Sequence, residues 1–181
     1  MKTILRTITA TGPLVLALLL PAFAQAQTYV EAWVQRYQGG YARTVATDAN
    51  GNVFVTGAAR GCFATIKYSS AGVPLWTNYC GNGEPLALAV DHHGDLVVAG
   101  YQWSTTLDYA TVKYSSVGIP LWTNTFVNAS GDDMVRAVVM DPNGNVVVTG
   151  ESWTSGGWND YLTIKYSSTG APLWVRRLGG A

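Results

Sequence analysis

Short stretches of apolar and β-branched residues recur along this chain, each bounded by a glycine-containing polar turn. In the last third, an apolar stretch at 134–140 is followed by an Asp-Pro-Asn-Gly turn and by a second apolar run at 146–149. A stretch at 161–166 then leads through a Ser-Ser-x-Gly turn to a segment that contains Trp174. Short apolar runs separated by such turns are typical of antiparallel strands. The pattern therefore predicts four successive strands, here named A, B, C and D.

Two phrases return along the chain and divide it into three such units. IKYSSAGVPLW at 66–76 returns as VKYSSVGIPLW at 112–122 and IKYSSTGAPLW at 164–174. DANGNVFVTG at 48–57 returns as DHHGDLVVAG at 91–100 and DPNGNVVVTG at 141–150. The Trp residues that end the first phrase are 46 and 52 residues apart, and periods near 45 residues are typical of four-stranded propeller blades. The sequence predicts an all-β fold with three four-stranded antiparallel blades at 41–83, 84–133 and 134–181.

A further segment precedes the first unit. EAWVQRYQGG at 31–40 parallels PLWVRRLGGA at 172–181, so that Trp33 aligns with Trp174. Residues 27–40 are therefore predicted to form a lone N-terminal strand equivalent to strand D. Closed propellers have about four to eight blades. The sequence thus predicts an open or partial propeller that takes further blades from another chain or from a missing C-terminal part, and that is oligomeric or prone to aggregate.

The first 26 residues follow a different pattern. Lys2 and Arg6 precede an apolar run at 14–20, and small residues follow it. This is typical of a secretory signal peptide, because the run is shorter than the roughly 20 apolar residues of a membrane-spanning helix. Residues 1–26 are predicted to be removed on export, which predicts a secreted, periplasmic or cell-surface protein without a membrane span.

The charge balance gives no sign of a nucleic-acid partner. The whole chain has 11 Lys and Arg against 11 Asp and Glu. Loss of the two cations of the leader leaves a small negative net charge, whereas proteins that bind nucleic acid carry clustered positive charge. No nucleic-acid binding is therefore predicted.

The three units resemble the SBBP β-propeller repeat of bacterial and archaeal secreted proteins. Its pattern runs Asp-x-x-Gly-Asn-Val-x-Val-Thr-Gly, then Asp-Tyr-x-x-x-Lys-Tyr, then Ser-x-Gly-x-x-x-Trp. The third unit is most similar to it, at Asp141, Gly144, Asn145, Gly150, Asp160, Tyr161, Lys165, Tyr166, Gly170 and Trp174. The first unit departs from the pattern by having Cys62 where the others have Asp. The resemblance covers the chain after the leader and implies a propeller fold and an extracellular setting, but no particular activity.

The two cysteines, Cys62 and Cys80, lie in the first unit. If Ser70–Gly72 forms a three-residue hairpin loop, Ile66 faces Trp76 across the hairpin. The same register places Cys62 opposite Cys80, close enough for a disulfide. Because the export signal implies an oxidising compartment, a Cys62–Cys80 disulfide is predicted.

The motifs that could carry catalysis or bind a metal are weak. Asp48 and Asp141 begin Asp-x-Asn-Gly-Asn turns that offer oxygen atoms to calcium, but strand B begins at once and no distal Glu completes the loop. Hairpin turns are therefore favoured. The two histidines, His92 and His93, are adjacent and lack Cys or carboxylate partners at ligand spacing. We predict no catalytic residues, no metal site and no cofactor.

The Gly-x-x-x-Trp that follows each Ser-Ser pair is similar to part of the tryptophan-docking motif of pyrroloquinoline quinone dehydrogenase propellers. The upstream Ala and Asp of that motif are replaced here by Ile66 and Tyr68. Only the half of the motif that packs neighbouring blades together is therefore present. This similarity implies packing between units and no quinone binding.

The variable sequences are expected to gather on one face of the fold. In an antiparallel four-stranded blade, the B–C and D–A connections lie opposite the constant A–B and C–D turns. The variable connections contain aromatic and charged side chains suited to a polar ligand or partner. The candidate ligand-binding residues are Arg60, Tyr101, Trp103, Trp153, Trp158, Asp132 and Asp133. The alternative for Trp103 and Trp153 is packing between blades.

Taken as a sequence, the chain favours a noncatalytic secreted propeller module. Such a module would act as a scaffold or as a recognition surface for cell-surface glycans or proteins. The alternative is a fragment of a larger propeller enzyme, such as a hydrolase, a lyase or a quinoprotein-like enzyme. A convergent set of acid, base and nucleophile would favour an enzyme, but the repeats supply near-identical residues without such a set.

Overall fold

The computed structural model describes residues 31–128 and 131–179, and these residues form an all-β structure. Sheet 1 contains β1 (Gly40–Thr47), β2 (Val53–Ala59), β3 (Cys62–Tyr68) and β4 (Pro74–Cys80). Sheet 2 contains β5 (Gly83–Val90), β6 (Leu96–Trp103), β7 (Leu107–Tyr114) and β8 (Pro120–Phe126). Sheet 3 contains β9 (Asp133–Met140), β10 (Val146–Trp153), β11 (Asn159–Tyr166) and β12 (Pro172–Leu178).

Each sheet has its four strands in sequence order and antiparallel, and none of the three sheets is closed. The predicted all-β class and the three four-stranded antiparallel sheets are confirmed. Each sheet begins one residue before the predicted unit. The predicted leader lies outside the described residues, and within the described part no helix is long and apolar enough to cross a membrane.

The turns between the first two strands of a sheet are built on an aspartate. The Asp48 Oδ1 atom accepts hydrogen bonds from the backbone N–H groups of Asn50 and Asn52, both at 2.9 Å. Asp141 makes the corresponding bonds in sheet 3. These are the local turns that Asp and Asn favour, as predicted. Within the described ranges, no group of His, Cys, Asp or Glu could hold a metal ion.

The hairpin between β3 and β4 has a β-bulge that was not predicted. Tyr68 lies opposite Pro74, but the register shifts at once, so that Lys67 lies opposite Trp76. The predicted pairing of Ile66 with Trp76 is therefore wrong by one residue. The same shift occurs at the start of β8 and of β12. All three strands begin with proline, which lacks the N–H that a regular ladder would use, and bulges are places where strands tolerate it.

The shifted register also explains why the predicted disulfide is not formed. Cys80 lies opposite Phe63 rather than Cys62. A slip of one residue turns a side chain to the other face of the sheet, and Cys80 accordingly packs beside Phe63 in a hydrophobic cluster. Both cysteines are free thiols, so the predicted Cys62–Cys80 bond is corrected.

The sheets pack face to face through apolar side chains that alternate along the strands. Between sheets 1 and 2, Phe54 and Phe63 pack against a cluster from sheet 2: Leu96, Val98, Ala110, Val112 and Tyr114. Between sheets 2 and 3, the residues Val97, Ala99 and Tyr109 pack against the corresponding cluster of sheet 3. Because sheet 2 is covered on both faces, all eight residues of β7 are buried.

A tryptophan contact repeats at both interfaces. The indole Nε1 of Trp76 donates a hydrogen bond to the backbone oxygen of Ser116 at 3.3 Å, and its ring lies over Gly118 in the same turn of sheet 2. Trp122 makes the same bond to Ser168 of sheet 3 at 3.0 Å. We call this the docking contact. The tryptophan of one sheet thus packs on the Ser-Ser-x-Gly turn of the next, as the partial docking motif implied.

The N-terminal segment does not form the predicted lone strand within the described residues. Residues 31–37 have no regular secondary structure, and β1 begins at Gly40. Sheet 1 already has its own fourth strand, β4. Within the described residues, the segment therefore forms no strand pair with this sheet. Trp33 nevertheless makes the docking contact, because its Nε1 donates to the backbone oxygen of Ser70 at 3.2 Å.

Candidate functional site

The variable connections lie at one end of the sheets. Their described residues are 60–61, 104–106 and 154–158 after the second strand of each sheet, and 81–82, 127–128 and 131–132 between sheets. Since the strands of each sheet are antiparallel and in sequence order, these connections share the end opposite the aspartate turns. We call this end the variable-loop face. All seven candidate residues lie in or beside its connections.

Two of the candidate residues meet in a cleft between sheets 1 and 2, which we call the Glu84 cleft. Its volume is ≈ 340 Å³, and it is lined by Gly39, Gly40, Tyr41, Ala58, Arg60, Gly61, Gly83, Glu84 and Trp103. Trp103 is 56% exposed. Its ring stands edge-on to Tyr101, with the ring centroids 5.7 Å apart and the planes at 88°. An indole at this cleft is therefore both held in place and open to solvent.

Arg60 reaches the cleft from a strained turn. Arg60 and Gly61 connect β2 to β3, with φ angles of 54° and 76°. Two successive residues with positive φ form the tight hairpin turn that suits the twist of the strands. Arginine in this conformation costs about 1 kcal/mol or more, and asparagine or glycine would avoid most of that cost. Strain of this kind at an exposed cationic residue is a reason to examine the site for function.

A hydrogen-bonded network organises the polar side of the cleft. The Tyr41 hydroxyl donates to Glu84 Oε1, and Arg43 Nη2 donates to Glu84 Oε2 at 2.5 Å. The Arg43 guanidinium also lies 5.0 Å from the centre of the Tyr41 ring. The hydrogen bond from Tyr41 lowers the pKa of Glu84, and Arg43 adds to this effect against the opposing effect of burial. Glu84 is therefore a carboxylate at neutral pH, held by Tyr41 and Arg43, and a hydrogen bond from Tyr101 also lowers its pKa.

These groups suit a particular kind of ligand. A carboxylate has about four acceptor sites, so Glu84 can accept a further hydrogen bond beyond those within the protein, and the Arg60 guanidinium supplies donors. Trp103 supplies an apolar surface beside them. A cleft with one aromatic ring and a few fixed polar groups fits a small ligand that is apolar on one side and rich in hydroxyl groups.

Asp132 and Trp153 lie together in a second place, between sheets 2 and 3. Asp132 Oδ1 accepts a hydrogen bond from the Leu107 N–H at 2.9 Å, and its backbone oxygen accepts one from the Trp153 N–H at 3.0 Å. A Cβ atom on Gly131 would lie 2.4 Å from Trp153 Cδ1, which shows how closely the indole covers that glycine. Trp153 therefore packs on Gly131 in the connection between the sheets, while 39% of its surface stays exposed.

Two candidate residues are buried and do not belong to a ligand surface. Tyr101 is buried beneath Trp103, and Asp133 is fully buried. Asp133 Oδ1 lies 3.4 Å from the Asn128 Nδ2 donor, while Oδ2 has no hydrogen-bond partner among the described atoms. Burial raises the pKa of Asp133 against the effect of hydrogen bonds from Ser152 and Asn128. The structure thus places Asp133 in the interior.

Trp158 is largely exposed at the tip of the β10–β11 connection. The Thr154 N–H donates to its backbone oxygen at 3.1 Å and closes the loop. Trp158 belongs to sheet 3, whereas the Glu84 cleft lies between sheets 1 and 2. The seven candidate residues consequently do not form one site.

Sequence reasoning missed Tyr41, Arg43 and Glu84, which organise the cleft. The first strands of the sheets were expected to be apolar, as 134–140 largely is. Tyr41 and Glu84 interrupt that pattern at the second residue of β1 and β5, where β9 has Met134. Their polar groups at this position were the available signal, whereas Arg43 gave none, because Arg136 holds the same place in β9.

Comparisons with known proteins give a likeness of fold. No protein-family model matches the chain. No curated protein matches it either. Among solved structures, the chain is similar to a crystal structure of the eukaryotic initiation factor, with a TM-score of 0.58 and 12% sequence identity over 81% of this chain and 35% of that chain. The chain therefore spans about a third of that structure's length, and at this identity the similarity concerns the all-β fold alone.

Proposed function

We propose that this chain is a noncatalytic module of a secreted β-propeller protein, and that its Glu84 cleft recognises a cell-surface glycan. The three sheets are its blades. Face-to-face packing and a repeated docking contact support this interpretation, as does the resemblance of the units to SBBP repeats. The described residues form three such sheets, fewer than the about four to eight blades of a closed propeller, and this suits an open or partial propeller.

The exposed indole of Trp103 beside Arg60 and Glu84 is the observation that carries the proposal. A glycan presents an apolar ring face bordered by hydroxyl groups. Trp103 is suited to stack on such a face, because an aromatic ring provides a large apolar area at low conformational cost. Glu84 and Arg60 are suited to the hydroxyl groups, since one accepts hydrogen bonds and the other donates them.

Replacing Trp103 by alanine tests this proposal. Glycans retained by the purified chain on a glycan array are chosen as probes, and their affinity is measured by titration calorimetry. We expect Trp103→Ala to weaken binding at least tenfold, because truncation of a well-placed aromatic anchor costs about 2 kcal/mol or more. Trp158→Ala is the matched control, since it removes an indole that is even more exposed and lies outside the cleft, and the affinity of this variant should not change. Equal losses in both variants, or an array without a retained glycan, would refute the proposal.

A second variant examines the cationic side of the cleft. Arg60→Asn removes the guanidinium but keeps a residue that tolerates positive φ. We expect weaker glycan binding together with unchanged or slightly raised thermal stability. Thermal unfolding followed by circular dichroism, measured beside the calorimetry, separates loss of a contact from loss of the fold. Undiminished affinity in Arg60→Asn would remove Arg60 from the proposed site.

A further inference from the structure

The docking contact consists of a tryptophan and the turn on which it packs. The tryptophan of sheet 3 and the turn of sheet 1, at the two ends of the stack, have no neighbouring sheet as partner in the described part of the chain. Trp76 and Trp122 each dock on the turn of the following sheet. Trp174 holds the same place in sheet 3, within the same Gly-x-Pro-Leu-Trp sequence. No further sheet follows it in the described part of the chain, and Trp174 is 37% exposed. Sheet 3 therefore presents an unused tryptophan.

One aromatic side chain of the third strand packs into each interface, and the equivalent side chain is exposed in sheet 3. Phe63 in β3 and Tyr109 in β7 hold the same place in their sheets, and they are 2% and 0% exposed. Tyr161 holds that place in β11 and is 72% exposed. A large aromatic side chain at this place is buried wherever another sheet covers it, so the exposure of Tyr161 marks an uncovered interface.

The lysines of the repeated phrase show the same difference. The Nζ atoms of Lys67 and Lys113 donate to backbone oxygens of the following sheet at 3.0 and 3.2 Å, and both residues are buried. Lys67 also lies 3.6 Å from Asp48 of its own sheet, and Lys165 lies 2.9 Å from the equivalent Asp141. The Lys165 side chain is partly exposed, and no following sheet accepts a hydrogen bond from it in the described part of the chain. We call the surface containing Tyr161, Lys165 and Trp174 the donor face of sheet 3.

The complementary acceptor face lies on sheet 1, at the other end of the stack. Its Ser70–Gly72 turn has the same form as the turns that accept Trp76 and Trp122. Trp33 occupies this turn, and a Cβ atom on Gly72 would lie 2.5 Å from the Trp33 ring. The acceptor position is therefore filled from within the chain, by a segment that forms no strand.

This filling is incomplete. A cavity of ≈ 230 Å³ remains between the Trp33 segment and sheet 1, and its floor includes Val55, Ala64 and Ile66. The corresponding apolar residues of sheet 2 are covered by Phe54 and Phe63 of the preceding sheet. The cavity thus lies where an aromatic side chain of a preceding sheet would enter, the place that Tyr161 would take.

We infer that the donor face of sheet 3 binds the acceptor face of sheet 1 in a second copy of this chain, with Trp174 displacing Trp33. The inference continues the two interfaces already inside the chain, since each face carries the residues that meet there. Each copy has one donor face and one acceptor face, so the contact is head-to-tail. If the ring closes at two copies, the contact is made twice and the assembly contains six sheets. Trp33 opposes this association, because a tethered competitor has a high effective concentration at its own turn.

Sedimentation velocity of the purified full chain over a range of concentrations tests the inference. We expect the unmodified chain to form a concentration-dependent dimer. Trp33→Ala should tighten the dimer at least tenfold by freeing the acceptor turn, and Trp174→Ala should weaken it at least tenfold. The opposite effects of two Trp→Ala changes cannot arise from a general loss of apolar surface.

Further variants guard against misfolding and nonspecific association. Tyr161→Arg changes a largely exposed residue and should also prevent dimer formation while the far-ultraviolet circular dichroism stays unchanged. Trp103→Ala is the matched control on the variable-loop face, and its dimer should equal that of the unmodified chain. All chains share residues 1–30, so these differences do not come from the apolar run there. A monomer at every concentration for both the unmodified chain and Trp33→Ala would overturn the inference, as would a dimer that tolerates both Trp174→Ala and Tyr161→Arg.

Discussion

At the scale of single residues, Asp133 shows what burial does to an ionisable group. Its side chain is fully buried, and one carboxyl oxygen has no hydrogen-bond partner among the described atoms. Burial raises its pKa above the ordinary value, although hydrogen bonds and the charge of Arg177 act in the opposite direction. The nearby Tyr109 hydroxyl is also unpartnered, and burial raises its pKa as well. The interface between sheets 2 and 3 thus contains two buried groups, the Asp133 carboxyl and the Tyr109 hydroxyl, that both resist ionisation.

Replacing Asp133 by asparagine should therefore raise the free energy of unfolding at neutral pH by about 1 kcal/mol, the cost of one buried acceptor without a hydrogen bond. The folded state of the unmodified chain holds its proton to a higher pH than the unfolded state does. The contribution of Asp133 to stability is thus fully present below the unfolded pKa of about 3.9 and is lost as the pH rises through the folded pKa. We expect the advantage of Asp133→Asn to shrink as the pH is lowered towards 4. Urea unfolding of both chains between pH 4 and 8 measures this, and a pH-independent difference would contradict it.

The adjacent residues Asp132 and Asp133 show why the candidate site was only partly predictable. Their presence in a variable connection could be read from the sequence. Asp133, however, begins β9, and successive side chains of a strand point to opposite sides. The position of the first strand residue decided which carboxylate was buried, and sequence patterns locate strand ends poorly. Tyr101 and Trp103 lie two residues apart on the same side of β6, and Trp103 is exposed because it is the last residue of the strand.

At the scale of elements, the docking contact joins one sheet to the next through a ring and a glycine. Gly118 has a φ of +85°, and a Cβ atom there would lie 2.8 Å from Trp76 Cδ2. Gly170 has the same relation to Trp122. Glycine is thus required twice over, once for the turn and once for the approach of the indole.

Two glycine-to-alanine variants separate these requirements. Gly61 has a similar φ of +76° but nothing within 4 Å of its Cβ position. We expect Gly61→Ala to lower the free energy of unfolding by about 1 kcal/mol through backbone strain alone. Gly118→Ala should cost about 2 kcal/mol more, because it also forces Trp76 away and overpacking is destabilising. Chemical denaturation at 25 °C measures both losses, and equal values would show that the indole moves without cost.

The element scale was also where sequence reasoning was most successful. The repeated phrases predicted the order and type of all strands from β1 to β12, because each turn residue and each apolar run occurs three times. The bulge beside Pro74 escaped prediction, since it changes the register without changing the pattern. The Cys62–Cys80 disulfide depended on that register and was lost with it.

At the scale of the whole molecule, the sheets are unequally covered. Sheet 2 is packed on both faces, whereas all seven residues of β12 in sheet 3 are exposed. A stack in which each member touches only its neighbours gains stability from each interface it makes. The middle sheet therefore has two interfaces, and each outer sheet has one.

This arrangement predicts a gradient of amide hydrogen exchange. Backbone amides in β6 and β7 should exchange most slowly, and those in β12 most rapidly, because local opening is easiest where fewest apolar contacts are broken. Exchange followed by mass spectrometry of peptides from each sheet would measure the order. Uniform protection across the three sheets would mean that the stack opens only as one unit.

The docking contacts of Trp76 and Trp122 each take their tryptophan from one unit and their turn from the next. The gene segment for the middle unit therefore encodes half of each of two interfaces. Trp76 finds the same partner in the Ser115–Gly118 turn that Trp122 finds in the Ser167–Gly170 turn. Duplication of a unit in frame therefore creates no interface that the chain does not already contain. Deletion of the middle unit would likewise place Trp76 on the Ser167–Gly170 turn, which has the same form as its present partner. The length of such a protein can change by whole units in single genetic events, without prior adaptation of any contact.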